Sequence, residues 1–259
     1  MKSDKIQEEV ISFYSHFSYP LIPYPFSKNH KLLMKKVLGC CDLTFDDLKD
    51  LKVLDAGCGT GEKSIFMARY GAYVTAIDIN ENQLKQAKKN MEKYKEKINF
   101  VRDDLVNLKH NEKYDLIVSL GVLHHTPDMK KGLENLLKLL RPNGKIIIAL
   151  YNSYSRLPYR LVRAPLHLFI KDPVKIHDFV MKSKFTFFLR TATEPTLYDR
   201  YAVPYESYHT IGEVKKIFKN NGIEAMNVYP KLIFNSELLT QIYWIFKCKT
   251  IFFVGGKKE

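Results

Sequence analysis

Between positions 51 and 150, short apolar runs alternate with segments whose apolar residues recur every three or four positions. The runs KVLDA, AYVTAID, INFV, DLIVSL and KIIIAL have the length of buried strands, and the intervening stretches 62–70, 81–95 and 129–140 have the period of helices. Strands separated by such helices imply right-handed crossovers and a parallel, doubly wound α/β sheet. The tetrapeptide Arg141-Pro142-Asn143-Gly144 reads as a turn before the fifth strand. The regularity then lapses and returns with IGEVKKIFKNNG as a glycine-terminated helix, EAMNVYP as a strand and KTIFFVGG as a last strand. Upstream, 8–17 has helical spacing, and FSYPLIPYPF sets three prolines among aromatics, which breaks regular structure. The expected organisation is an N-terminal helical and aromatic segment over 1–50 and an α/β domain over 51–259, with an insertion at about 152–210 after the fifth strand.

Composition narrows this picture. The 259 residues suffice for a full core, and 46% apolar with 27% charged is ordinary for a globular chain. No uninterrupted apolar run approaches the roughly 18–20 residues that span a bilayer, and the acidic start MKSDKIQEEV lacks a signal-peptide core. Cys40, Cys41, Cys58 and Cys248 have neither zinc-site nor CxxC spacing, so reduced thiols in a cytoplasmic protein are expected. The net charge of +13 suggests an acidic partner, whether nucleic acid, an anionic lipid surface or a phosphorylated metabolite. Eight basic and two acidic residues fall between 156 and 190, and Arg156, Arg160 and Arg163 recur there at helical spacing. That basic amphipathic segment reads as a site for phosphate, carboxylate or lipid headgroups, or as a solvated face; Pro158 and Pro165 predict a short or interrupted helix.

Candidate chemistry begins where the first strand ends, in Val53-Leu54-Asp55-Ala56-Gly57-Cys58-Gly59-Thr60-Gly61-Glu62. Glycines there permit a sharp turn and close approach of a ligand. A dinucleotide site would want a third glycine at 62, but Glu62 stands there, and with Asp55 it would repel a pyrophosphate. The ammonium and sulfonium of S-adenosylmethionine tolerate those carboxylates, so charge favours that ligand over a nicotinamide dinucleotide. Asp78, seventeen residues beyond Gly61, can accept two ribose hydroxyls or cap the helix opened by IDINENQ. After the third strand, Asp103 and Asp104 can accept from an adenine amine or serve as solvated turn residues, and Asp104 is the better placed.

Taken together, VLDAGCGTG, the acid of VTAIDIN, FVRDDLVNL and YDLIVSLGVLHHTPD followed by LLRPNGKIIIALY resemble the class I S-adenosylmethionine-dependent methyltransferase family. The resemblance spans about 51–151 and implies a seven-stranded, mostly parallel sheet whose last strand is antiparallel. It implies cofactor contacts from Asp55, Gly57, Gly59, Asp78 and Asp104, with Cys58, Gly61, Ile79, Asp103, Leu105 and Leu120 completing the candidate set. The ubiquinone-type O-methyltransferases carry an ExxEH stretch after the fourth strand; here Gly121, His124 and His125 stand there, so no metal is expected.

Methyl transfer asks the protein to align a nucleophile, exclude water and, for an O–H or N–H nucleophile, take up a proton. His124 and His125, just past the fourth strand, are candidate bases, or one of them packs without a catalytic role. Tyr198, Asp199, Tyr201, Tyr205, Tyr208 and His209 form a dense aromatic set, either a substrate cage with Tyr205 and His209 near the nucleophile or an anchor for the insertion. The insertion and the N-terminal segment are expected to cap the sheet's opening. The acceptor is expected to be a small molecule, lipid or glycan intermediate, with peripheral membrane contact conceivable. RNA methylation, or a scaffold that kept the fold without the chemistry, are the alternatives; no NPPY-type tetrapeptide follows DLIVSL to favour RNA.

Overall fold

The structure is a computed structural model that describes residues 2–16, 25–94, 98–182, 194–247 and 249–259. Most of FSYPLIPYPF, part of the predicted insertion and Cys248 lie outside the described residues. Seven strands form one sheet: β1 Lys52–Ala56, β2 Tyr73–Asp78, β3 Ile98–Arg102, β4 Tyr114–Leu120, β5 Leu140–Tyr151, β6 Ile223–Tyr229 and β7 Ile251–Lys258. Their order is β3-β2-β1-β4-β5-β7-β6. The first five pair in parallel, and β7 runs antiparallel to both β5 and β6.

Alternation of side chains along the central strands supplies two cores. Leu54, Ile117, Ile146 and Ile148 face one side, where they meet α5 Met129–Lys138 and α9 Ile211–Asn220. Val53, Leu116, Val118 and Ile147 face the other, against α2 Lys28–Gly39 and α3 Glu62–Arg69. Burying each such side chain contributes about 1.5–3 kcal/mol. Helix starts are fixed by side-chain caps: Asp128 accepts from the Lys131 N–H at the start of α5, and Thr210 accepts from the Glu213 N–H at the start of α9.

Three expectations change. α1 spans Lys2–His16 and so begins earlier than the apolar spacing shows. The RPNG tetrapeptide lies inside β5 as an excursion: Leu140 pairs with Tyr114 and Lys145 with Leu116, while Asn143 takes φ 60°. And α6 runs unbroken over Leu157–Phe169, because Pro158 occupies the first turn, where no N–H is required; Pro165 lies within the helix. After α6 come α7 Pro173–Lys182 and α8 Glu194–Ala202. Phe13 of α1 packs with Tyr159, Leu166, Ile176, Val180, Tyr198 and Tyr201 in a third apolar cluster. This cluster joins α1 to the segment between β5 and α9. Among the described residues the remaining α-helices are α4 Glu81–Tyr94 and α10 Glu237–Phe246, the latter not anticipated from its sequence.

Candidate cofactor and catalytic site

The carboxyl ends of β1, β2 and β4 open into a cavity of about 500 Å³. β1 passes through the glycine loop into α3. Gly57 has φ 80°, and a Cβ there would come within 2.4 Å of both Val122 methyl carbons, so only glycine fits. Gly59 has φ 55°, yet a Cβ there would meet nothing within 4 Å. Packing therefore requires glycine at 57, whereas at 59 it leaves the backbone bare beside the cavity it lines.

The Gly59 N–H donates to Asp78 Oδ2 at 2.9 Å and the Asn80 N–H to Oδ1 at 2.8 Å. Burial raises the Asp78 pKa, and these two backbone donors oppose the rise. Each carboxylate oxygen keeps a lone pair for a further donor. The cap of α4 is Asn80 instead: its Oδ1 accepts from the Asn82 and Gln83 N–H groups. Asp103 closes its own loop by accepting from the Asp104, Lys109 and His110 N–H groups, and Asp104 accepts from the Val106 N–H and the Asn107 amide. Both acids line the cavity, as do Cys58, Ile79, Leu105 and Leu120.

Asp55 and Gly61 do not line it. Asp55 is wholly buried; Oδ2 accepts from Ser64 Oγ at 2.6 Å, and Oδ1 has no hydrogen-bond partner. Burial raises its pKa against the pull of Lys63. For Lys63 itself burial works against the charge, but Asp55 and Glu62 raise its pKa. The carboxyl groups of Glu62 and Asp78 line the cavity together with Lys63, and Asp55 lies buried behind them.

The expected catalytic residues separate. His125 lines the cavity. Its Nδ1 lies 3.0 Å from the Tyr205 carbonyl oxygen and its Nε2 3.7 Å from Asp199 Oδ1. An Nδ1–H donated to that carbonyl leaves Nε2 as the basic nitrogen. Asp199 accepts from the Tyr14 and Tyr151 hydroxyls, both at 2.5 Å. Burial works against the Asp199 carboxylate, yet His125, the two hydroxyls and Arg156 hold its pKa below the ordinary value. His124, by contrast, stacks on Tyr151 at 3.7 Å, is fully buried and does not line the cavity; burial drives its pKa far down. Tyr205 and His209 are also placed outside the lining. The Tyr205 backbone meets His125, while His209 bonds Ser207 Oγ at 2.8 Å and Glu213 Oε1 at 3.0 Å at the head of α9. Of the remaining aromatic set, Tyr198 and Tyr201 sit in the third apolar cluster, and Tyr208 donates to Glu206.

Tyr14 and His30 line the cavity, and neither carried a functional signal in the sequence. Tyr14 looked like one apolar position of a helix; α1 is held over the cavity because Gln83 Nε2 donates to the Tyr14 carbonyl at 2.8 Å and Asn80 Nδ2 to the Ile11 carbonyl at 3.1 Å. His30 lines the wall against Phe66, its pKa lowered to about 4 by burial and by Lys63. Arg156 faces inward over the Tyr151 ring and pairs with Glu206 at 2.5 Å, and Arg163 lies 3.4 Å from the same carboxylate. These two arginines are buried, so the basic helix does not offer them to solvent. Among the described residues, no group of three His, Cys, Asp or Glu side chains is placed to hold a metal ion.

A mostly parallel sheet of this order with a glycine loop at its carboxyl edge and an acid closing the second strand defines a nucleoside-binding methyltransferase fold. Residues 47–222 match the family model described as a methyltransferase domain, and the chain belongs to that family, the class I S-adenosylmethionine-dependent methyltransferases. The chain is 33% identical over 134 residues to the ubiquinone biosynthesis O-methyltransferase of Coxiella burnetii, covering 51% of this chain and 57% of that protein. It is 28% identical over 135 residues to the enzyme of the same name from Rickettsia bellii, covering 52% and 56%. The match thus spans little more than half the length of these curated relatives. Among solved structures, it is similar to magnesium protoporphyrin IX methyltransferase from Synechocystis PCC 6803 with bound S-adenosylhomocysteine. That likeness has a TM-score of 0.59 and 17% identity, covering 99% of this chain and 95% of the other.

Proposed function

We propose that this chain transfers the methyl group of S-adenosylmethionine to an oxygen or nitrogen nucleophile of a small molecule, with His125 as the base. The observation that carries the reading is one cavity shared by the glycine loop, Asp78 and Asp104 on one side and by His125 and Asp199 on the other. The residues present fit the cofactor: bare backbone at Gly59, acceptor capacity left on Asp78, and the carboxyl groups of Glu62 and Asp78 lining the space a cationic ligand would take. In this reading Asp78 holds the ribose, Asp104 the adenine amine, and the loop from Gly57 to Gly59 the amino-acid part, while Leu120 flanks the methyl. When bound, the cofactor supplies an activated methyl carbon, so the protein's task is positioning and proton management.

His125 Nε2 takes the nucleophile's proton, and Asp199, 3.7 Å away, stabilises the imidazolium that results. The Tyr14 and Tyr151 hydroxyls keep Asp199 anionic and fix its direction. α1 and the segment between β5 and α9 form the cap that excludes water. The names of the relatives, a ubiquinone biosynthesis O-methyltransferase and a magnesium protoporphyrin IX methyltransferase, favour a small-molecule acceptor.

Calorimetric titration with S-adenosylmethionine, S-adenosylhomocysteine and NAD tests the cofactor, with Asp78→Ala as the control. Binding of the first two, no response to NAD and loss in the variant are expected; a folded protein that ignores S-adenosylmethionine refutes the reading. Isotope-labelled methyl transfer to simple phenols such as catechol then reports the acceptor class, with His125→Asn lowering turnover about a hundredfold while cofactor binding persists.

A further inference from the structure

Two helices present leucines and phenylalanines outward. On α6, Leu157, Leu161 and Leu168 are 45%, 70% and 67% exposed, and Phe169 at its end is 82% exposed. At 100° per residue the three leucines lie within about 40° of one another. They stand opposite the buried Tyr159, Arg163 and Leu166. The polarity is therefore reversed from a solvated surface helix: the arginine points in and the leucines point out. On α10, Leu238, Leu239, Ile242 and Phe246 share an exposed arc, opposite the buried Thr240, Gln241 and Trp244.

Hydrogen bonds bring the two helices to the same end of the sheet. Asn152 Nδ2 donates to Gln241 of α10 at 2.8 Å, and Ser155 Oγ donates to the Lys249 carbonyl at 2.9 Å. Apolar side chains exposed on this scale mark a surface that meets something other than water. The charges around them narrow the partner. Within 156–182 and 231–249, the exposed charged residues are Arg160, Lys171, Lys175, Lys182, Lys231, Lys247 and Lys249 against Asp172 and Asp178. Exposed leucines and phenylalanines on segments whose exposed charges are mostly cationic complement an apolar layer edged with negative charge.

We propose that the outer faces of α6 and α10 dock this protein on an anionic lipid bilayer, with the leucines and phenylalanines entering the interface and the lysines meeting the headgroups. Among the described residues no helix is long and apolar enough to cross a membrane, so the contact lies in the plane of the surface. Thr250 and Ile251, which follow α10 in the chain, line the cavity, so docking there sets the site beside the bilayer. The contact does not depend on the methyl-transfer reading.

The test is co-sedimentation of the full chain with vesicles of phosphatidylglycerol and phosphatidylcholine, and with phosphatidylcholine alone, at low and high salt. Leu161→Asp/Leu168→Asp is the surface variant and Lys171→Glu/Lys175→Glu the charge variant. Binding to the anionic vesicles is expected, weaker at high salt and on neutral vesicles, and reduced at least tenfold in both variants. Calorimetric affinity for S-adenosylhomocysteine, equal in wild type and variants, shows that the fold and the cavity are intact. Absence of vesicle binding overturns the proposal, as does binding untouched by the substitutions. A concentration-dependent dimer in sedimentation velocity that Leu161→Asp/Leu168→Asp abolishes, without vesicle binding, overturns it in favour of a second copy of this chain.

Discussion

Gly57 and Gly59 sit two residues apart in one loop, both at positive φ, yet alanine should damage the protein in opposite ways. At Gly57 the added Cβ meets Val122 carbons at 2.4 Å, so the loop or β4's exit must move. Left-handed strain of about 1–2 kcal/mol plus repacking of about 1–3 kcal/mol gives a loss of about 2–5 kcal/mol. For a chain of this size that lowers Tm by about 4–20 °C. At Gly59 the same methyl meets nothing within 4 Å, so only the strain of about 1–2 kcal/mol applies. If that bare backbone is where S-adenosylmethionine lies, the methyl intrudes on the ligand. A clash of about 1–3 kcal/mol weakens Kd by about 5- to 150-fold. Scanning calorimetry and isothermal titration on both variants decide it. Gly59→Ala that binds S-adenosylhomocysteine like wild type, or Gly57→Ala that melts like wild type, would refute the reasoning.

Removing Arg156 leaves Glu206 buried with Arg163 as its remaining cation. Arg156→Met should therefore destabilise by up to about 3–5 kcal/mol, and Arg156→Met/Glu206→Gln should recover part of that in denaturant titration. His30, with a pKa of about 4 when folded and 6.5 as its ordinary value, binds a proton more readily in the unfolded chain between those values. Stability should thus fall as pH drops from 6.5 towards 4, by at most about 3 kcal/mol from this group. His30→Phe should flatten that limb of the pH–Tm profile; an unchanged slope would remove His30 as the cause. Asp199, whose pKa is also depressed, acts in the same direction at lower pH: its contribution is full above the ordinary carboxylate value and is lost as pH falls through the folded value. Asp199→Asn should lower methyl transfer about tenfold or more while leaving S-adenosylhomocysteine binding within threefold, and equal loss of both would assign it a structural role.

The sequence alone carried the sheet, because each strand between 51 and 150 is a compact apolar run and each helix between them keeps its own period. It also carried the glycine loop and the acid at Asp78, since those depend on neighbours close in the chain. Local periodicity says nothing of which long-range partner a side chain meets. Tyr14 and Asp199 are 185 positions apart and Arg156 and Glu206 are 50, so their meetings follow from packing of α1 and of the segment after β5. For the same reason, adjacent His124 and His125 could not be told apart by reading: the turn after β4 aims one ring into the core and the other into the cavity. The basic spacing of Arg156, Arg160 and Arg163 was legible as a helix, but which face of it looks inward was not. Tertiary packing decided that face, because Glu206 and the Val203 carbonyl, both remote in sequence, accept from the two arginines that point inward.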